Sequence, residues 1–321
     1  MSNRSNDNGR AFEYACIKEL ESSISVYRPV VLNEKSIEAS KRAWLSINNE
    51  QQEKLILASK AFIKFLFDAE PLILEHESES DVVELLINKD SDAEAGDVRD
   101  IVIKRVDISW DIGLSLKHNH FAAKHSRLSA KIDFGNKWYG LPCCDDYWTK
   151  ISPVFENLCK LKEARCTWRG MDNKEGSVYL PLLNAFMGEI ERANKIDNQI
   201  PQRLISYLLG IKDFYKVVSV ERKQLTEVQS FNLRGGLNKN GKNSTAKIII
   251  PLADLPDEII ALRLKPNSTN TVEMFLNNGW SLSFRIHNAS TIVEPSLKFD
   301  IQFIGVPSNI LTINCQWNNI L

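Results

Sequence analysis

No stretch of this sequence approaches the roughly 18 to 20 apolar residues that a membrane-crossing helix needs. Its first ten residues, MSNRSNDNGR, also lack the apolar core of a secretory signal. These absences predict a soluble, cytoplasmic protein. The six cysteines (Cys16, Cys143, Cys144, Cys159, Cys166 and Cys315) show no CxxC spacing. That argues against a disulfide framework and against the closely paired ligands of a structural zinc site, and the cysteines read as reduced thiols. Net charge is small as well: 40 Lys and Arg against 41 Asp and Glu leave −1, so the chain as a whole has no pull on a polyanion. No internal repeat is visible.

What is present is charge in separate places. Asp68 to Asp100 is mostly acidic, whereas Lys104 to Lys137 and Arg203 to Lys247 are mostly basic. Local basic surfaces can hold a polyanion on a neutral protein. With 43% hydrophobic and 25% charged residues the chain can bury a substantial core. The sequence pattern predicts an α/β protein: a mixed sheet flanked by helices over residues 1–150, then a helical and finally β-rich portion over 151–321.

Hydrophobic periodicity starts the first helix after Asn8 and Gly9 and runs it through RAFEYACIKELESSI. At about 100° per residue, Phe12, Ala15, Cys16, Ile17, Leu20 and Ile24 share one arc. Glu13 projects from within that arc, where a carboxylate is costly unless it meets a metal or a cation. Glu19 lies inside it too. Two more helices are expected over 35–68, ending before Pro71. HNHFAAKHSRLSAKI, from His118 to Ile132, has helical composition, and 151–209 is mainly helical. Strand signals follow from Tyr215: YKVVSVE, AKIIIPL, IIALRLK, TVEMFL, WSLSFRIH, LKFDIQFIGV and ILTINCQW. RGGLNKNGKNST (234–245) reads as a mobile, basic loop.

The chemistry concentrates in GDVRDIVIKRVDISWDIGLSLKHNH, residues 96–120. Two strand-like stretches bring Asp100 back beside Lys117. The second alternates, with Trp110, Ile112, Leu114 and Leu116 on one face and Asp111, Gly113, Ser115 and Lys117 on the other. Cleaving a phosphodiester calls for a divalent cation held by hard oxygens against the phosphate, and a lysine can orient or deprotonate the attacking water. Asp100 and Lys117 meet part of that need. Asp97, Glu13 and the backbone carbonyl of Leu116 are candidates for further oxygens, since magnesium favours oxygen ligands and retains several waters.

Asp100 at a strand start followed by Ser115-Leu116-Lys117 resembles the PD-(D/E)XK nuclease motif, with serine at the usual acidic position. Glu13, in NGRAFE, resembles the helix glutamate common in that superfamily, and Ser115 is a candidate for holding a metal-bound water. Longer strings, NDNGRAFEYA, AGDVRDIVI, IGLSLKHNHFAAKHSRLS and NGWSLSFRIHNASTIVEPSLKFDIQF, are similar to the HaeIII type of type II restriction endonuclease. That resemblance implies magnesium-dependent cleavage of double-stranded DNA at GGCC, 5′-phosphate and 3′-hydroxyl ends, and a cognate methyltransferase that protects host DNA. A palindrome is most simply read by a homodimer. His118, Lys124, His125 and Arg127 are candidates for phosphate contacts, and Arg234 and Arg285 lie in stretches suited to guanine readout. Two other readings stand beside this one: a DNA-binding protein on a decayed nuclease fold, and a structure-specific repair nuclease.

Overall fold

The computed structural model describes residues 2–76, 81–89, 96–120 and 122–319. Residues 77–80 and 90–95, which carry much of the acidic stretch, lie outside them. The chain forms two compact units that interleave in sequence: Met1–His120 with Gly210–Ala253 and Ser308–Leu321, and Phe121–Leu209 with Asp254–Pro307.

The first unit is a seven-stranded mixed sheet with helices packed on one face. Its strands are β1 (Val30–Leu32), β2 (Val83–Ile87), β3 (Ile101–Arg105), β4 (Trp110–His118), β6 (Phe214–Val220), β7 (Leu225–Phe231) and β12 (Thr312–Gln316), adjacent in that order. β1 with β2 and β4 with β6 are parallel; the other neighbours are antiparallel. Three helices supply the apolar cover: α1 (Ser2–Ile24), α2 (Glu34–Ser46) and α3 (Asn49–Ala69). The apolar arc of α1, including Phe12, Cys16 and Leu20, joins Leu114, Leu116, Tyr215 and Val217 in one buried core. Asn33 and Asn48 cap the second and third helices by accepting from Ser36 N and Gln51 N, each worth roughly 1 kcal/mol.

α1 starts earlier than its apolar pattern, carrying Asn8 and Gly9 within it. A glycine inside a helix costs only about 1 kcal/mol relative to alanine. The segregation of charge is partly cancelled by folding. Asp81, from the acidic stretch, is buried between the guanidinium groups of Arg28 and Arg105, with Arg105 Nη2 2.5 Å from its Oδ2.

Residues 234–245 are anchored. Leu237 is buried in the core, and Asn238 Nδ2 donates to the carbonyls of Ala69 and Ile248 at 2.7 and 2.8 Å. AKIIIPL forms no strand; it runs beside α3, with Lys247 N donating to Asp68 O at 2.8 Å. Asparagine side chains here provide the hydrogen bonds a strand neighbour would otherwise make. β7 had no counterpart among the expected strands, and it completes a hairpin with β6 through Gln224, whose φ is +49°.

The second unit packs α4 (Phe134–Tyr139), α5 (Asp145–Glu163), α6 (Leu180–Ile196) and α7 (Ile200–Leu209) with an antiparallel sheet. That sheet has the order β5 (Ala122–Leu128), β11 (Leu297–Gly305), β10 (Ser281–His287), β9 (Thr271–Leu276) and β8 (Ile259–Leu264). Phe186 stands 5.0 Å from Phe299 and 5.2 Å from Phe284, ring to ring, at the centre of its core. The helix expected from His118 to Ile132 is instead the end of β4 and the strand β5. Pairing of β5 with β11 overrides a composition that suits either state. The boundary expected at residue 150 falls inside α5. Among the described residues no helix is long and apolar enough to cross a membrane.

Candidate active site

The register of the β3–β4 hairpin sets the site. Ile101 lies opposite Leu114 and Arg105 opposite Trp110, so the residue before β3, Asp100, arrives beside the distal half of β4. Asp100 N donates to Leu114 O at 2.7 Å. Its Oδ2 accepts from Leu116 N at 2.6 Å, from Lys117 Nζ at 3.2 Å and, at a long 3.4 Å, from Ser115 Oγ. Lys117 Nζ also lies 3.0 Å from Leu116 O. Asp100 and Lys117 remain part-exposed while Trp110, Ile112, Leu114 and Leu116 fill the core. One face of β4 builds the fold and the other presents an ion pair.

α1 carries Glu13 to the same place. Its Oε2 accepts from Ser40 Oγ at 2.7 Å, and it lines a cavity of about 330 Å³ together with Asp100, Asp97, Arg99 and Arg10. Burial, and then the charge of Asp100, push its carboxyl up to about 7 against the opposing pull of Ser40, Lys117 and Arg10. Glu19, the other acid of the arc, is raised by burial and sits instead against the charge of Lys60. The structure thus places Glu13, of the two, beside Asp100.

Asp97 reaches the cavity, but both its oxygens are engaged by Arg99: Oδ1 by Nε at 2.8 Å and Oδ2 by Nη2 at 2.7 Å. Burial raises the Asp97 carboxyl, and the Arg99 contacts outweigh it, holding it below the ordinary range. Arg99 also grips Asp111. Its aliphatic stem lies over Gly113, where a Cβ would stand 2.2 Å from Arg99 Cδ. Only glycine at 113 leaves room for this clamp beside Asp100. Among the described residues, no group of three or more His, Cys, Asp or Glu side chains converges as a metal site; the oxygen donors at hand are Asp100, Glu13 and the Leu116 carbonyl.

The HaeIII restriction endonuclease profile matches residues 9–307. The chain belongs to the HaeIII restriction endonuclease family. It is 49% identical, over 319 residues and 99% of each chain, to the type II restriction enzyme HaeIII of Haemophilus aegyptius. No solved structure matches it. This HaeIII-family chain is therefore a site-specific deoxyribonuclease that acts on double-stranded DNA.

The residues expected to touch DNA in this HaeIII-family enzyme have diverse settings. His118 turns to the core side, with Nδ1 3.3 Å from Ser219 Oγ and its ring 6.4 Å from that of Phe12; burial lowers its pKa. Lys124 pairs with the buried Ile301 and points inward, 3.8 Å above the Tyr207 ring, where burial pushes its ammonium down to about 8. Arg127 is exposed, with Nη1 3.1 Å from Ser296 Oγ. Arg285 is exposed 3.9 Å from Asp300, which also accepts from or pairs with His287 Nε2 at 2.8 Å. The backbone of His125 lies opposite Asp300; its side chain is outside the described residues. Arg234 Nη2 donates to Gly210 O at 2.8 Å and its guanidinium flanks Asp213, fastening its own loop.

One residue on the reactive face was read from the sequence only as part of the Arg203–Lys247 basic stretch. Lys216 on β6 lies opposite Ser115 and is buried. The signal was available, because it is the single charged residue in FYKVVSV.

Proposed function

We propose that this enzyme hydrolyses double-stranded DNA at GGCC with magnesium, leaving 5′-phosphate and 3′-hydroxyl ends. The observation that carries the chemistry is the Asp100 carboxylate held between Leu116 N and Lys117 Nζ, with Glu13 lining the same cavity. The donors fit magnesium: all are oxygens, few are from protein, and retained waters complete such a shell. Two carboxylates lining one cavity, one of them raised to about 7 by burial and by the other, are relieved by a cation held with them. Bound magnesium supplies Lewis-acid stabilisation of charge on the phosphate.

The chain's own groups do the rest. Lys117, anchored by Asp100 and by the Leu116 carbonyl, orients the attacking water, whose proton passes to solvent. Ser115, within reach of Asp100, holds a second water in the position an acid usually takes. The retained ion pair and the acid on α1 favour an active enzyme over a decayed fold. GGCC specificity is supported by the resemblance across nearly the whole chain. We further propose a homodimer on the palindrome, one site per strand, a cytoplasmic location and a protecting methyltransferase.

Digestion of a DNA of known sequence in magnesium tests this reading. Every fragment end should map to GGCC; discrete ends at another sequence refute the specificity, and a ladder or smear indicates a nuclease of another class.

Glu13 makes the pH dependence specific. Its carboxyl titrates near 7 in the folded, metal-free chain against 4.5 ordinarily. The raised value contributes stability that is fully present below the unfolded pKa and lost as pH rises through 7. Magnesium must displace that proton, so its affinity should fall by about tenfold per unit as pH drops below 7. Glu13→Gln should bind magnesium weakly with no such slope in calorimetry at pH 6 and 8, and turn over about 10²-fold more slowly. An unchanged slope in the variant would assign the proton to another group.

A further inference from the structure

The two faces of the five-stranded sheet differ in what they carry. Leu297, Phe299 and Ile301 of β11 alternate onto one face and are buried. Lys298 and Asp300 fall on the other, and the register extends that face across three strands. Lys298 lies opposite Arg127 on β5 and opposite His287 on β10, and Asp300 lies opposite Arg285; cross-strand partners share a face. Arg127 and Arg285 are exposed and Lys298 is half-buried, so all three cations reach solvent.

Like charges directly opposite each other destabilise a sheet. Arg127 and Lys298 are such a pair. Among the described residues neither forms an ion pair, and Arg127 donates to a neutral partner, Ser296 Oγ, at 3.1 Å. Asp300, the one acid of β11, does not relieve them. It is 9% exposed, and its Oδ2 is engaged by His287 Nε2 at 2.8 Å, with Arg285 Nη2 farther off at 3.9 Å. A sheet built for stability alone would place an acid or a neutral residue opposite Arg127. An anion from outside the chain supplies what the fold omits.

We propose that this face grips the sugar–phosphate backbone of duplex DNA, with Arg127 and Lys298 straddling one phosphate and Arg285 taking a neighbouring one. Directly opposite residues stand about 5 Å apart, close enough to converge on one phosphate, whereas diagonal ones such as Lys298 and Arg285 stand about 7 to 8 Å apart. Contacts of this kind fix the position of a protein on the duplex and carry no sequence information. The inference rests on double-stranded DNA as the substrate, and neither GGCC nor magnesium enters it.

Binding of the full-length protein to a GGCC duplex and to a duplex lacking that site, followed by fluorescence anisotropy in calcium between about 50 and 200 mM salt, tests it. Each phosphate contact contributes about 0.9 to the slope of log affinity against log salt, which is roughly eightfold in affinity at about 0.1 M salt. Lys298→Gln should lose that much on both duplexes, and relief of the like-charge pair should leave its melting temperature at the wild-type value or higher. Arg285→Gln should lower the slope by about one on both duplexes as well. Lys162→Gln, at an exposed position of α5, should leave the slope unchanged. In the wild type, bound duplex should protect Lys298 from acetylation and leave Lys162 reactive; should Lys298→Gln fail to fold, this protection decides. An unchanged slope in either variant, a loss confined to the GGCC duplex, an equal loss in Lys162→Gln, or acetylation of Lys298 undiminished by DNA would overturn the proposal. Cleavage of DNA at another sequence would refute GGCC and leave this inference standing.

Discussion

Lys117→Ala should cleave at less than about a hundredth of the wild-type rate, the low end for loss of a positioned catalytic group, while its affinity for a GGCC duplex stays close to wild type. The lysine touches Asp100 and the Leu116 carbonyl and belongs to the phosphate side of the chemistry, whereas sequence discrimination is made at base edges. The side chain is part-exposed and outside the core, so the variant should fold. Single-turnover cleavage in magnesium and a gel-shift titration in calcium separate the two quantities. Cleavage above a tenth of wild type, or a parallel collapse of specific affinity, would remove Lys117 from the role given to it.

Asp100→Asn should be the more damaging change. The amide oxygen can still accept from Leu116 N, so the start of β3 keeps its shape, but the site loses its central anion and Lys117 loses its partner. A metal's electrostatic contribution of several kcal/mol, at about 1.4 kcal/mol per decade, corresponds to roughly 10³-fold in rate. Calorimetry should show magnesium binding lost, and the melting temperature without magnesium should change little. Magnesium bound at wild-type strength would place the cation elsewhere.

The two acids of α1 show what periodicity can and cannot distinguish. Both Glu13 and Glu19 fall inside the apolar arc, and a helical wheel treats them alike. Only the packing of α1 against the sheet separates them, setting one beside Asp100 and the other against Lys60. The segment after β4 makes the same point for secondary structure. Its alanines, lysines and serines suit a helix, but β11 offers a long unpaired edge, and the gain from pairing outweighs a propensity of a few tenths of a kcal/mol per residue. Lys124 consequently lies over the Tyr207 ring.

By itself the sequence determined the features that depend on local order: the α/β class, the three N-terminal helices, the alternation of β4 and the return of Asp100 to Lys117. These follow from side-chain period and from a hairpin whose two strands are close in the chain. The family, too, was legible from strings spread across nearly its whole length. Tertiary structure alone decided which acid joins Asp100, that Asp97 is taken by Arg99 across a glycine, that His118 and Lys124 face inward, and that Lys216 arrives beside Ser115 from about a hundred residues away. The Asp97–Arg99 contact is local and its clamp is completed by Asp111 and Gly113; the others depend on contacts between distant segments, where burial and neighbouring charge set a side chain's role.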